Sequence, residues 1–209
     1  MIAPHIWVLY YGHSFVTRFE DYIHRNPRKD NLGLPHDQIE LYYYGISGAK
    51  VDNLLDPAHL WEVERIRPEL VIVEIGTNDL AKASVKPADL AWKTKYLVRE
   101  LKNRLVRRVV VNQVIYRGPE GMKRAVDNFR GKVVIYNKLC RAALATEPGC
   151  TFWKHHCLWK YIEHLVKPKD GTHLNELGQL KLCRSLKGGV ICSMKIIRPA
   201  FYNWPDILG

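Results

Sequence analysis

Short apolar runs alternate along the chain with longer stretches of helical spacing. The runs are β-branched or aromatic and end at turn residues, which predicts five strands, at 6–11, 39–45, 70–76, 108–116 and 150–153. The stretches between them repeat apolar residues every three or four positions, which predicts helices at 14–25, 56–67, 86–105, around 122–146 and at 175–190. This repeated strand-then-helix order predicts an α/β protein with a parallel sheet covered by helices on both faces.

The domain organisation follows from the length and from the last residues. A chain of 209 residues suits one domain with its own core. We expect a single domain over residues 1–192 and an extended tail over residues 193–209, where two prolines interrupt any helical pattern. Because ligands of open α/β sheets bind beyond the carboxyl ends of the strands, the turns after the strands are the candidate site.

Three turns after strands carry residues that could act chemically, GHS at 12–14, GISGAK at 45–50 and GTND at 76–79, and a fourth turn, DGTH at 170–173, lies before the last helix. Ser14 is either the cap of the next helix or a nucleophile at the strand end, and one turn geometry serves both roles. The glycines of the second turn indicate either a positive φ or a backbone N–H open to a substrate oxygen. Asn78 is either a turn residue or an amide donor to an oxyanion.

An acid–base pair is the fourth element. Asp170 stands three residues before His173, a spacing that lets a carboxylate hold one imidazole nitrogen and leave the other as a base. Two other Asp–His pairs have this spacing but lie inside predicted helices, at Asp21–His24 and Asp56–His59. The position of Asp170 and His173 in a turn, together with the other three turns, predicts one combined site.

With these four blocks in this order, residues 6–190 resemble the SGNH (GDSL-type) hydrolase family. The resemblance implies a three-layer α/β/α, flavodoxin-like fold and a serine esterase that works through an acyl-enzyme. It implies that Ser14 is the nucleophile, His173 the general base and Asp170 the residue that orients His173. The oxyanion donors that it implies are the backbone N–H groups of Ser14 and Gly48 and the side chain of Asn78.

Three positions depart from the usual family pattern. His13 stands where the family usually has Asp, Tyr43 stands where an Asn is frequent, and GTND replaces the more frequent GGND. His13 is a candidate substrate contact, and we expect it to add a pH dependence near neutrality. The residues in and around these blocks also resemble those of SGNH domains found in retroelement-associated reading frames.

Candidate pocket residues come from two loops. Trp159, in the loop over 154–169 that leads to Asp170, is a candidate pocket wall, and Arg117 after the fourth strand is a candidate contact for an anionic head group. An acetyl ester, a carbohydrate ester or a lysophospholipid each fits as substrate. We expect no cofactor and no metal, because Cys150, His155, His156 and Cys157 lack a recognised zinc spacing.

Charge adds an alternative. The chain carries a net charge of +11, with −5 over residues 1–80 and +16 over residues 81–209. Such asymmetry predicts contact with nucleic acid or with an anionic membrane through the later half, or else a solvated basic surface. The alternative function is an SGNH-like scaffold that serves as the basic nucleic-acid-binding module of a mobile-element protein, weakly active or inactive.

The compartment is predicted from the N-terminal residues and the cysteines. The first strand follows no basic leader and no cleavage site, and no apolar run reaches the length of a membrane span. Five cysteines without a C-x-x-C pair fit reduced thiols. These features predict an intracellular, cytoplasmic protein.

Overall fold

A five-stranded sheet forms the middle of the protein, whose computed structural model describes residues 5–156, 158 and 161–197. The strands are β1 (Ile6–His13), β2 (Ile39–Ile46), β3 (Leu70–Glu74), β4 (Arg108–Asn112) and β5 (Cys150–Trp153). They lie in the order β2-β1-β3-β4-β5, and every neighbouring pair is parallel. The predicted parallel five-stranded sheet is therefore confirmed.

Helices connect the strands, and the five long ones were all predicted from spacing. In chain order the helices are α1 (Ser14–His24), α2 (Val51–Leu54), α3 (Pro57–Ile66), α4 (Thr77–Leu80), α5 (Pro87–Asn103), α6 (Pro119–Met122), α7 (Phe129–Leu144) and α8 (Glu176–Ile197). Two 3₁₀ helices add to them, at Pro27–Gly33 and Ile162–His164. Three helices of four residues, α2, α4 and α6, were not predicted, because one turn is too short to show a period.

The sheet is buried on both faces, which gives three layers. Tyr11 of β1 lies in a cluster with side chains of α2, α3, α5 and α7. Tyr10, its neighbour, lies in the opposite cluster with side chains of α1 and α8. Alternate residues of one strand thus enter two cores, as the pleat requires. Among the described residues, no helix is both long and apolar enough to cross a membrane.

A carboxyl group is buried within this fold. Glu74, the last residue of β3, is 3% exposed and accepts hydrogen bonds from the Tyr10 hydroxyl (3.0 Å) and the Asn112 amide (2.8 Å). Burial raises the pKa of Glu74 to about 7, and the two hydrogen bonds oppose this rise. Glu74 therefore retains its proton to a higher pH than an exposed glutamate does.

Two predicted strands end earlier than expected. The prediction took the third strand to residue 76 and the fourth to 116, whereas β3 ends at Glu74 and β4 at Asn112. After β4, the backbone N–H and carbonyl of Val114 bond to the side chain of Asn137 on α7, at 3.0 and 2.9 Å, instead of to a strand. A buried side-chain amide therefore replaces the ladder at this point.

The last helix continues past the predicted domain boundary at residue 192. α8 runs to Ile197, and both Ser193 and Met194 are buried, so packing against the core extends the helix into the region predicted as tail. The rest of that predicted extended tail, residues 198–209, lies outside the described residues.

Candidate active site

Three of the predicted turns leave the sheet side by side. β1 lies between β2 and β3, with His13 opposite Ile46 and Gly12 opposite Glu74. The turns that carry Ser14, Gly48 and Asn78 follow these positions directly. Because parallel strands end at one edge, the three turns begin at the same edge of the sheet.

Ser14 is hydrogen-bonded to the histidine of the fourth turn. Its Oγ lies 2.9 Å from Nε2 of His173, and Nδ1 of the same ring lies 3.0 Å from Oδ2 of Asp170. The serine and the histidine are 159 residues apart in the chain. The structure therefore brings the three candidate catalytic residues into one hydrogen-bonded row, the arrangement of a nucleophile, a base and a group that orients the base.

Hydrogen bonds fix the carboxylate of Asp170. Its Oδ1 accepts from the backbone N–H groups of Thr172 (2.7 Å) and His173 (2.8 Å), while Oδ2 faces the imidazole. Partial burial acts to raise the pKa of Asp170, but these N–H groups and the imidazole hold it below its usual range. The carboxylate is therefore ionised at neutral pH and holds one nitrogen of His173.

The environment of His173 favours its neutral form. Burial lowers its pKa first, and the positive charges of Arg18 and Lys167 lower it further, whereas Asp170 acts in the opposite direction. A neutral imidazole with Nδ1 held by a carboxylate has Nε2 free to accept a proton. His173 is thus available as a base at neutral pH.

The interpretation of Ser14 as a helix cap is wrong. Ser14 is the first residue of α1, and the cap is His13, whose Nδ1 accepts from the backbone N–H of Phe15 at 3.2 Å. Asp, the usual family residue at this position, caps helices through a carboxylate oxygen, and here an imidazole nitrogen takes that place. The Ser14 hydroxyl is therefore free of the cap and points to His173.

The expected titration of His13 near neutrality is also wrong. His13 is 1% exposed, and burial, together with the charges of His173 and Arg117, lowers its pKa to about 3. Its ring packs edge-on against Phe15, with centroids 4.9 Å apart. As a candidate substrate contact, His13 lies beneath the surface of the site.

The turns of Gly48 and Asn78 are linked to each other. Asn78 Nδ2 donates to the carbonyl of Ala49 at 3.0 Å, and Asp79 Oδ1 accepts from the backbone N–H of Val51 at 3.3 Å. Gly48 has a φ of +74°, which L side chains rarely adopt, and open space where a Cβ would stand. Both candidate oxyanion donors therefore belong to one cross-linked pair of turns.

Arg117 lies behind Asn78. It is 7% exposed, and its guanidinium donates to the Thr77 carbonyl (3.1 Å) and to Asn78 Oδ1 (3.4 Å) while it covers the ring of Phe129. A donor on Oδ1 turns the NH₂ group of Asn78 away from Arg117. The described contacts of Arg117, a candidate substrate contact, are thus with protein groups. Trp159, the candidate pocket wall, lies outside the described residues.

Sequence reasoning missed the contact that seats the Asp170–His173 turn. The backbone N–H of Gly118 donates to the carbonyl of Gly171 at 2.6 Å, and a Cβ at Gly121 would overlap Gly171. Gly171 has a φ of +61°. Glycines in polar turns were the visible signal, but the sequence gives no indication that α6 and this turn touch.

A family model supports the resemblance of the sequence to known enzymes. The model of the GDSL-like lipase/acylhydrolase family matches residues 10–181, which include all four turns. Solved structures of similar fold are 13–20% identical to the chain, and at this level they show the fold alone.

Curated relatives are more similar in sequence. The platelet-activating factor acetylhydrolase IB subunit alpha1 of Pongo abelii is 28% identical over 156 residues, which cover 68% of this chain and 60% of the relative. The human protein of the same name has the same identity and coverage. The chain therefore spans about 60% of the length of the curated relatives that it matches.

Two solved structures illustrate the fold. A candidate platelet activating factor from Streptococcus pneumonia superimposes with a TM-score of 0.69 and 17% identity, over 88% of this chain and 83% of that one. An acetylxylan esterase from Geobacillus stearothermophilus gives a TM-score of 0.64 and 18% identity, over 91% and 96% of the two chains. Both neighbours have the three-layer α/β arrangement described above.

Proposed function

This chain belongs to the GDSL-like lipase/acylhydrolase family, and from that premise we propose that it is a serine-dependent carboxylic ester hydrolase. The observation that carries the proposal is the hydrogen-bonded row from Ser14 Oγ through the imidazole of His173 to the carboxylate of Asp170, at 2.9 and 3.0 Å. Family membership supports acyl hydrolysis, and this row supports the assignment of the residues.

In the proposed mechanism His173 takes the proton of Ser14 as the hydroxyl oxygen attacks the ester carbonyl carbon. Asp170 holds the imidazole by Nδ1 and stabilises the positive charge that the ring acquires. The protonated His173 then gives the proton to the leaving alkoxide as the C–O bond breaks, which leaves an acyl-enzyme on Ser14. A water molecule, deprotonated by His173, hydrolyses this acyl-enzyme and restores the serine.

The tetrahedral oxyanion needs donors, and we assign them to the backbone N–H groups of Ser14 and Gly48 and to the Asn78 amide. The Nδ2 atom of Asn78 carries two hydrogens, one of which bonds to Ala49 and leaves the other for the oxyanion. The cross-linked turns support this assignment because they hold the donors in place.

An acetyl ester is the first substrate to examine. The names of a similar curated protein, a platelet-activating factor acetylhydrolase subunit, and of a structural neighbour, an acetylxylan esterase, both refer to an acetyl group. A carbohydrate ester and a lysophospholipid remain the other two substrate classes. Within the described part of the chain, no group of three or more His, Cys, Asp or Glu side chains is placed to hold a metal ion.

A fluorophosphonate probe tests the proposed nucleophile directly. We expect purified protein to form one adduct, located on Ser14 by mass spectrometry, and to lose it on Ser14→Ala or His173→Ala substitution. Exposed Ser84 provides the matched control, because Ser84→Ala should label like the native chain. Labelling that survives Ser14→Ala would contradict the assignment.

The nucleic-acid and membrane alternatives stay predictions from charge. A folded protein whose Ser14 does not react with the probe would contradict the esterase and favour the binding module. Binding through phosphates would then weaken steeply with added salt and ignore base sequence, whereas binding to a membrane would depend on acidic lipid.

A further inference from the structure

Positive charges surround the His173 side of the candidate active site. Arg18 stands four residues after Ser14 on α1, so the two side chains share one face of the helix. Helical side chains lean towards the N-terminus of their helix, which directs Arg18 towards Ser14. The effect of its charge on His173 agrees with this closeness.

Two further cations, Lys167 and Arg124, lie in segments that contact the Asp170–His173 turn. The backbone N–H of Lys167 donates to the His173 carbonyl at 2.7 Å, and its own carbonyl accepts from Gly171 at 2.8 Å, while its side chain is exposed. Arg124, which is also exposed, donates from its guanidinium to the carbonyl of Asp170.

These three cations are distinguished by their position in segments that contact Ser14, His173 or Asp170. Within the described ranges, no carboxylate oxygen lies within 4.0 Å of a charged nitrogen of Arg18, Arg124 or Lys167. On α5, by contrast, Lys93 pairs with Asp52 at 2.7 Å and Arg99 pairs with Glu147 at 2.7 Å.

The carboxylate of Asp170 offsets one of these three positive charges. Both oxygens of Asp170 are engaged, one by two backbone N–H groups and the other by the His173 ring. Three cations beside one carboxylate leave a net positive charge, which lowers the free energy of an anionic substrate more than that of a neutral one.

We propose that the substrate is an ester whose alcohol part carries an anionic group, a carboxylate or a phosphate, which binds between Arg18, Arg124 and Lys167. This inference rests on the proposed esterase function and specifies the class of ester. The anionic group lies on the His173 side of the serine, where the leaving alcohol departs, because His173 is the group that protonates that alcohol.

Matched acetate esters test the proposal. The pair 3-acetoxybenzoate and 3-acetoxybenzamide has one shape and differs by one charge, and 3-acetoxyphenyl phosphate separates a phosphate requirement from a carboxylate one. Each kcat/KM is divided by the rate constant for hydrolysis of the same ester by hydroxide without enzyme. This ratio removes the differences in reactivity that come from the leaving group. We expect the anionic esters to react roughly tenfold or more faster than the amide on this scale.

Charge variants locate the effect. Arg18→Gln and Lys167→Gln should each reduce the anion-to-neutral ratio roughly two- to fivefold, and the double variant should remove most of it. Salt raised from about 0.05 M to about 0.5 M should also reduce the ratio. Exposed Lys138 on α7 is the matched control, because Lys138→Gln should leave the ratio as it is.

Equal normalised rates for the anionic and neutral esters, independent of salt, would overturn the inference and leave the esterase in place. A binding measurement on Ser14→Ala protein decides the question without turnover. There, 3-acetoxybenzoate should bind more tightly than 3-acetoxybenzamide, and the preference should fall in the Ser14→Ala/Arg18→Gln variant. Equal affinities would overturn the inference, whereas failure of the esterase itself would appear as an unlabelled Ser14.

Discussion

At the scale of single residues, Ser14 stands between two histidines with opposite tasks. His13 accepts a hydrogen bond from the backbone N–H of Phe15, the second residue of α1, and burial lowers its pKa to about 3. His173 lies across the site with its ring held by Asp170 and its other nitrogen on the serine. One histidine is therefore structural, and the other is placed to exchange a proton.

The pH dependence of hydrolysis should follow His173. Burial and the charges of Arg18 and Lys167 lower the pKa of His173 below its ordinary value of 6.5. Because only the neutral imidazole acts as a base, kcat/KM should rise with pH through a midpoint below 6.5. Arg18→Gln removes a charge that lowers this pKa and should move the midpoint upward, while Lys138→Gln should not move it. A midpoint above 6.5 in the native protein would contradict the described environment.

Asn78 is the oxyanion donor whose side chain can be removed. Asn78→Ala should reduce kcat on the order of 10²- to 10³-fold, because the oxyanion loses a hydrogen bond that forms fully only in the transition state. A fall of less than about tenfold would exclude Asn78 from the proposed role. The variant also loses the hydrogen bond from Asn78 to the Ala49 carbonyl, and thermal unfolding measures the stability lost with it. A merely structural role for Asn78 would lower this stability without the fall in kcat of the folded protein.

At the scale of elements, periodicity predicted which strands and long helices form better than it predicted where they end. All five strands and all five long helices were predicted, because each repeats apolar residues over several turns or pleats. The end of β4 was not, because Val114 bonds to Asn137 on a distant helix. The end of β3 was not either, because Gly76 has a φ of +109° and caps the short helix α4.

The contact between α6 and the Asp170–His173 turn should be critical for activity. Gly121→Ala places a Cβ against Gly171 and should displace the turn, which lowers kcat/KM roughly tenfold or more for a loss of stability of about 1–3 kcal/mol. Kinetics and urea unfolding of the same preparation measure both effects. Pro119→Ala, at an exposed position of the same helix, is the control, and native kinetics in Gly121→Ala would contradict the role of this contact.

At the scale of the whole molecule, the site depends on segments that are far apart in sequence. The closeness of the Ser14, Gly48 and Asn78 turns was predictable because turns after parallel strands share one edge of the sheet. The Asp170–His173 turn follows no strand directly, and it was assigned to the same site from its Asp–His spacing and from the resemblance. The bond from Arg117 to Asn78 was not predictable, since a basic residue after a strand is as compatible with an exposed position as with a buried one. Neither was the capping by His13, because a serine at that turn is the more common cap.

The stability of the whole molecule should depend on the proton of Glu74. Because folding raises its pKa to about 7, the stability that it contributes is fully present below its unfolded value of 4.5 and is lost as pH rises through 7. Glu74→Gln cannot lose a proton. The unfolding free energy of this variant minus that of the native protein should therefore increase from pH 4.5 to 7 and then level off.

Urea unfolding at a series of pH values measures this difference, in which the contributions of other groups cancel. Ser84→Ala, an exposed substitution that changes no ionisable group, is the control and should give a difference that does not change with pH over this range. A difference for Glu74→Gln that stays flat or decreases would show that the buried carboxyl is not protonated in the folded state.

The bonds from Asn78 to Ala49 and from Asp79 to Val51 have a consequence for the cost of binding. A loop that is ordered only when a ligand arrives loses conformational entropy at that moment, and the loss weakens binding. Here the two turns that carry the proposed donors are joined by protein groups alone, so that entropy is lost during folding. The free energy of the substrate contacts is then available to stabilise the transition state.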